Sequence, residues 1–176
     1  LIRFDDHGAW FVSGDRRVGG RMALAATAML RGRPLVAVSV HLESHTSPGD
    51  RARQLGHLLT AIEALAPGVP AIVGGDVNSH LFDIGDRHGD EDKARLVATH
   101  GDLVHPERIE PMFAVAADAG WDFAAANPAG APTQRARPDG TPRLPFGKLD
   151  WLFTRGLATS DPVVIPAVDA RGRAIS

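Results

Sequence analysis

The chain has 176 residues, 44% of them hydrophobic and 23% charged, which suits one globular domain (residues 1–176) with a core of its own. Its formal net charge is -2, so no bulk attraction to nucleic acid or an anionic membrane is implied, and any polyanion site must be a local patch. Cysteine is absent, which excludes disulfides, Cys-ligated zinc and thiol catalysis. No apolar run approaches the roughly 20 residues that cross a bilayer, and no secretory signal is visible. These features favour a cytoplasmic location. The chain opens on Leu1 rather than Met, and the expectation is a processed or truncated piece.

Residues 1–18 carry the weakest pattern. Trp10-Phe11-Val12 suits a strand, Asp15-Arg16-Arg17 a turn, and His7 beside Asp5 and Asp6 a solvated loop. Gly20 to Leu42 reads as a β-hairpin broken at Arg31-Gly32-Arg33-Pro34, although the alanine-rich run Met22 to Leu30 also suits a helix. In the second arm Val36, Val38, Val40 and Leu42 face one side and Leu35, Ala37, Ser39 and His41 the other, so His41 ends a strand on its less apolar face. Ser47-Pro48-Gly49-Asp50 has the spacing of a capped helix start. Leu55, Leu58, Leu59, Ile62 and Leu65 follow at helical spacing, and Pro67-Gly68 ends the helix.

Next comes Ala71-Ile72-Val73-Gly74-Gly75-Asp76-Val77-Asn78, an apolar run leading to a carboxylate and an amide two residues apart. An extended strand would point Asp76 and Asn78 into one space, and two glycines let a ligand or a backbone approach. A strand closed by an Asx turn explains the same residues. Residues 34–78 thus form a strand, helix, strand unit. A right-handed crossover makes its strands parallel and puts His41 and Asp76 on the carboxyl edge, where open α/β sheets bind ligands.

Asp83, Asp86, Asp90, Glu91 and Asp92 read as a solvated acidic loop without the order of an EF-hand, and Lys93 to Thr99 as a helical turn. Pro111 to Ala119 reads as a short helix stopped by Gly120. Asn127 to Gly147 is a long loop carrying Arg135, Arg137 and Arg143, which with Lys148 form the best local patch for phosphate, while simple solubility explains the same charges equally well. Lys148 to Phe153 reads as a buried strand whose single acid, Asp150, needs a cation or a histidine as partner. Val163-Val164-Ile165 reads as one more strand.

His41-Leu42, Arg51, Gln54, Gly75-Asp76-Val77-Asn78, Thr133-Gln134-Arg135 and Lys148-Leu149-Asp150-Trp151 stand in an order that resembles the endonuclease/exonuclease/phosphatase superfamily, the DNase I-like metal-dependent phosphoesterases. The resemblance covers roughly residues 20 to 176. It implies an α/β (α+β) fold: a two-sheet mixed β-sandwich flanked by helices, here incomplete at both ends. It implies hydrolysis of phosphate esters, most simply phosphodiesters of a nuclease or phosphodiesterase kind, with nucleic acid or a phospholipid headgroup as the substrate class. It implies Mg²⁺ or Mn²⁺, with Asp76 and Asn78 near the metal. His41 would hold phosphate or assist the leaving group, Asp76 would orient water, and Asn78 would bond phosphate. Asp150 would pair with a catalytic histidine, and Arg135 and Lys148 would contact the substrate phosphate.

Two departures stand out. The family's N-terminal Asn and metal-binding Glu have no counterpart here, and Ser176 falls where the family's closing Ser-Asp-His begins. The expectation is an internal piece of a larger domain, poorly active as it stands. The alternative is a catalytically inactive binding or scaffolding member of the same fold. No G-x-S-x-G elbow, Walker-type loop or G-x-G-x-x-G turn supports a serine hydrolase or a nucleotide-binding module.

Overall fold

Arg31 and Gly32 adopt φ of 50° and 77°, the paired positive values of a two-residue hairpin turn whose twist matches its strands. That turn settles the competition between helix and strand over residues 21–30, because its register makes both arms extended. The computed structural model describes residues 1–5, 11–12, 15–16, 21–44, 46–79, 98, 105–133, 147–165, 168–171 and 173. The elements in chain order are β1 (Ile2–Asp5), β2 (Phe11–Val12), β3 (Asp15–Arg16), β4 (Arg21–Leu30), β5 (Arg33–His41), α1 (Pro48–Leu65), β6 (Ala71–Asp76), α2 (Pro111–Asp118) and β7 (Asp150–Arg155).

Among the described residues one five-stranded sheet runs β1-β4-β5-β6-β7, and β2 and β3 form a separate ribbon. The sheet is mixed: β5 and β6 are parallel, and the other neighbours are antiparallel. The parallel pair is what the strand, helix, strand reading of residues 34–78 required. The fold is therefore of the α/β class expected. Apart from the five-stranded sheet, the described residues hold only the short β2–β3 ribbon. Asp15-Arg16, expected as a turn, are strand β3, because Val12 pairs directly with Asp15.

One face of the sheet carries the core. Val36, Val38 and Val40 of β5, Ala71 and Val73 of β6, and Trp151 and Phe153 of β7 pack with Leu55, Leu58, Leu59 and Ile62 of α1 and Met112, Phe113 and Ala116 of α2. The Phe113 ring meets Trp151 edge-on at 4.5 Å between centroids, a favoured aromatic geometry. Ser47 Oγ accepts the Asp50 N–H at 3.1 Å, the cap its spacing indicates. Gly68 turns away at φ 67° past the end of α1. Leu65 departs from the expected stripe: it lies in the last turn and is exposed.

The opposite face is more open, with Met22, Leu24 and Leu152 exposed. Two strand expectations are corrected here. Asp150 is exposed rather than buried, because β7 alternates and only Trp151 and Phe153 turn into the core. Val163-Val164-Ile165 are not a strand: they are largely exposed and pair with no strand among the described residues. Among the described residues no helix is long and apolar enough to cross a membrane. Residues 83–92, and 93–99 apart from Ala98, lie outside the described residues.

Candidate active site at the carboxyl edge of the sheet

The ladder brings three titratable side chains into one row. His41 pairs with Asp76 across β5 and β6, and Asp76 pairs with Asp150 across β6 and β7. Strand alternation puts all three on the face away from α1, since their neighbours Val40, Val77, Leu149 and Trp151 are buried. His41 Nε2 stands 3.8 Å from Asp76 Oδ2, an ion pair whenever the imidazole is protonated, and too long for a hydrogen bond. The ladder runs past the strand ends through Leu42 N–H to the Asp76 carbonyl (3.0 Å) and Val77 N–H to the Leu149 carbonyl (2.9 Å).

Gly75 permits this register. Its φ is 146°, and a Cβ there would sit inside the Val40 carbonyl oxygen and 3.0 Å from the carbonyl carbon. A side chain would therefore force β5 and β6 apart one residue before His41 and Asp76. At Gly74 an added Cβ would clash with the tip of Leu152, a flexible neighbour, and make ordinary contact with the Trp151 carbonyl oxygen at 3.8 Å.

Asp76 ends its strand in an Asx turn: Asn78 N–H donates to Asp76 Oδ1 at 2.9 Å. Asn78 takes φ 48°, the left-handed conformation that asparagine tolerates. Its buried amide Nδ2 donates to the Leu42 carbonyl at 3.0 Å, tying the end of β6 to the end of β5. The Asx turn is the reading of this stretch that the geometry gives: Asn78 is not extended, and its amide turns to the Leu42 carbonyl. Burial is the main influence on the Asp76 carboxyl and pushes its pKa up, with the Asp150 charge adding to it. The Asn78 N–H, His41 and Arg21 pull the other way and do not cancel it.

Arg21 and Glu43 belong to this edge and were missed in the sequence. Glu43 is buried, and its Oε2 accepts from Arg21 Nη2 at 2.6 Å and Nε at 3.1 Å. Arg21 Nη1 also reaches the His41 carbonyl at 3.4 Å. A signal existed. A two-residue turn at 31–32 fixes the hairpin register and places Arg21 opposite the His41–Glu43 stretch. Gln54 and Arg51 of α1 support that stretch from below. Gln54 Oε1 accepts the Glu43 N–H at 3.0 Å, and Arg51 donates to the Thr46 carbonyl at 2.6 Å and to Glu110 at 2.9 Å.

The other expected residues lie elsewhere. Lys148 is buried, donates to the Pro128 carbonyl at 2.6 Å and stands 4.0 Å from the centre of the Trp151 ring, so its ammonium faces the protein. Arg135, with Arg137 and Arg143, lies outside the described residues. Thr133 Oγ1 accepts the N–H groups of Leu149 and Asp150, both at 3.0 Å, and fixes the start of β7. Ser79, also missed, accepts from Trp151 Nε1 at 2.9 Å and donates to the Lys148 carbonyl at 2.6 Å.

Among the described residues no group of three or more His, Asp or Glu side chains is placed to hold a metal ion. Asp76 and Asp150 nevertheless form an oxygen-donor pair whose charges repel, which is what a small hard cation relieves. Mg²⁺ commonly takes one or two carboxylates and completes its shell with water and phosphate oxygens, so these residues fit it in kind.

A mixed sheet with polar, titratable groups gathered at the carboxyl edge of its parallel pair defines an α/β protein, and that edge is where open α/β sheets bind ligands. The model of the Endonuclease/Exonuclease/phosphatase family matches residues 4–176. The chain belongs to that family, which is named for enzymes that cleave phosphate esters. No curated protein matches the chain. Solved structures similar to it include the human nocturnin catalytic domain with bound sulfate (17% identity, TM-score 0.46, covering 82% of this chain and 45% of that one). A mannosyl-6-phosphatase from Bacteroides thetaiotaomicron is 11% identical, with TM-score 0.49 and coverage of 79% and 44%. An endonuclease/exonuclease/phosphatase from Bacteroides vulgatus is 20% identical, with TM-score 0.46 and coverage of 85% and 51%. The chain spans about half the length of these solved structures.

Proposed function

We propose that this chain carries the phosphate-handling edge of a divalent-metal-dependent phosphoesterase that hydrolyses phosphodiesters. The observation that supports it is the row His41, Asp76, Asp150 across three neighbouring strands on one open face. Mg²⁺ or Mn²⁺, when bound, would neutralise the phosphate and support charge on the leaving oxygen. Asp76 and Asp150 are the carboxylates that would hold it.

The chain's own residues then divide the remaining work. Asp76 orients a water and accepts its proton as the water oxygen bonds to phosphorus. The bond from phosphorus to the leaving oxygen breaks, and protonated His41 gives that oxygen a proton. Asn78 holds the Asp76 turn, and the hydrogen of Nδ2 not given to Leu42 is the one it could offer to phosphate. Arg21, fixed by Glu43, keeps positive potential beside the site without touching the reacting atoms. Arg135 stays a candidate for substrate phosphate. For Lys148 the 2.6 Å bond to Pro128 favours an anchoring role.

The test uses bis(4-nitrophenyl) phosphate with and without Mg²⁺ or Mn²⁺, with melting curves run in parallel. Either metal should raise the melting temperature, since a ligand that binds only the folded state stabilises it. Metal-dependent turnover and the metal shift should both fall in Asp76→Asn. Turnover indifferent to chelators and to Asp76→Asn would overturn the proposal. A metal shift without turnover would identify a binding member of the same family.

A further inference from the structure

The end of the sheet opposite His41 and Asp76 holds a cleft of about 420 Å³. It lies under the β4–β5 turn, against the residues that enter β6 and leave β7. Leu30, Leu35, Pro70 and Leu157 line it, with Arg31 and Arg33 at the turn. Among the described residues no acidic side chain lines it. The volume is that of a small-molecule site, apolar with a few polar groups that fix orientation.

Three observations point to an anionic ligand. Among the described residues the guanidinium groups of Arg31 and Arg33 have no ion pair or hydrogen bond, whereas Arg155 nearby is already paired with Glu63. Arg31 occupies the first central position of the hairpin turn at φ 50°, where asparagine, aspartate or glycine is the easy choice. An arginine held there costs backbone strain, and strain of this kind gathers at ligand sites. The two arginines flank Gly32 and both line the cleft, and arginine binds an oxyanion in a two-pronged fashion.

We propose that this cleft is a second ligand site, separate from the catalytic edge, for a small molecule with an oxyanion head on an apolar body. The head, a carboxylate or a phosphate monoester, meets Arg31 and Arg33, and the body lies on Leu30, Leu35, Pro70 and Leu157. Along β5 the two sites are about 26 Å apart, eight residue steps of about 3.3 Å. A ligand here therefore does not compete directly with a phosphodiester at His41 and Asp76.

Phenylphosphonate, which cannot be hydrolysed, is the first probe by calorimetry, with 3-phenylpropionate, inorganic phosphate and benzyl alcohol beside it. Phenylphosphonate should bind the wild-type chain, and both single-feature controls should bind weakly. Comparison with 3-phenylpropionate tells a phosphate head from a carboxylate head. Arg31→Asn with Arg33→Gln should weaken binding at least tenfold, a loss of about 1.4 kcal/mol, and Asp76→Asn should leave it unchanged. Arg31→Asn suits the turn, so the variant should melt no lower than wild type, which separates lost binding from lost folding. No binding to the wild-type chain, full binding to the arginine variant, or loss in Asp76→Asn instead would each overturn the proposal.

Discussion

Gly75→Ala tests whether the His41–Asp76 pair depends on one missing side chain. At φ 146° an alanine would be strained whatever the space around it, and such conformations cost about 1–3 kcal/mol. Its Cβ would also fall well under 3.0 Å from the Val40 carbonyl oxygen, a separation that real Cβ atoms essentially never show. That neighbour is backbone in a parallel ladder and cannot rotate away, so overpacking adds about 1–3 kcal/mol. The sum is about 2–6 kcal/mol, a large share of the roughly 5–15 kcal/mol that holds a domain folded. At about 2–4 °C per kcal/mol for a chain of this size, the melting temperature should fall by roughly 4–24 °C. Urea denaturation should show the same loss. Gly49→Ala is the control. Its Cβ would meet only Ser47 Oγ at 3.8 Å, and it lies in the first turn of α1, where alanine gains up to about 1 kcal/mol over glycine. A Gly75→Ala protein that melts within about 2 °C of wild type, with the same urea midpoint, would refute the reasoning.

Asp76→Asn should abolish hydrolysis without lowering the melting temperature at pH 7. The Asp76 pKa is raised in the folded chain, so the stability this group contributes is present below its ordinary 3.8 and lost as pH rises through the folded value. A neutral amide avoids that loss and keeps the oxygen that accepts the Asn78 N–H; a clear drop in melting temperature would show the charge itself to be stabilising. Glu110 is buried against Arg51, and burial pushes its pKa up to about 7 despite the arginine. The stability of wild type relative to Glu110→Gln should therefore decline between about pH 4.5 and 7 and flatten above, as read by urea midpoints. A difference that stays constant over that range would contradict it. Lys148→Met should lose the bond to Pro128 and the contact with Trp151, costing about 1–3 kcal/mol. Unchanged stability with weakened phosphate-ester binding would place Lys148 at the substrate instead.

Much of the frame was legible because local rules act over a few residues. Ser47, Pro48 and Asp50 announce a capped helix, and Leu55, Leu58, Leu59 and Ile62 give it a buried stripe. The alternation of Val36, Val38 and Val40 fixes which way His41 points, and the helix between two strands makes them parallel, so His41 beside Asp76 followed from order alone. Asp150 was named as a site residue only through the family resemblance and was misread as buried, because a single apolar run does not say which of its faces is covered. Leu152 and Asp150 turn outward while Trp151 and Phe153 turn in.

The sequence by itself determined the class of the fold, the βαβ unit and the place of His41 and Asp76 at its carboxyl edge, since periodicity, caps and turns are properties of neighbouring residues. Tertiary structure decided which cations face the site. Arg21 reaches Glu43 and the His41 carbonyl through a hairpin register, Lys148 turns onto Trp151 and the Pro128 carbonyl, and Arg51 is taken up by Glu110 from 59 residues away. A long charged side chain goes where its charge is paired and its stem is covered, and both depend on which segments distant in sequence arrive beside it.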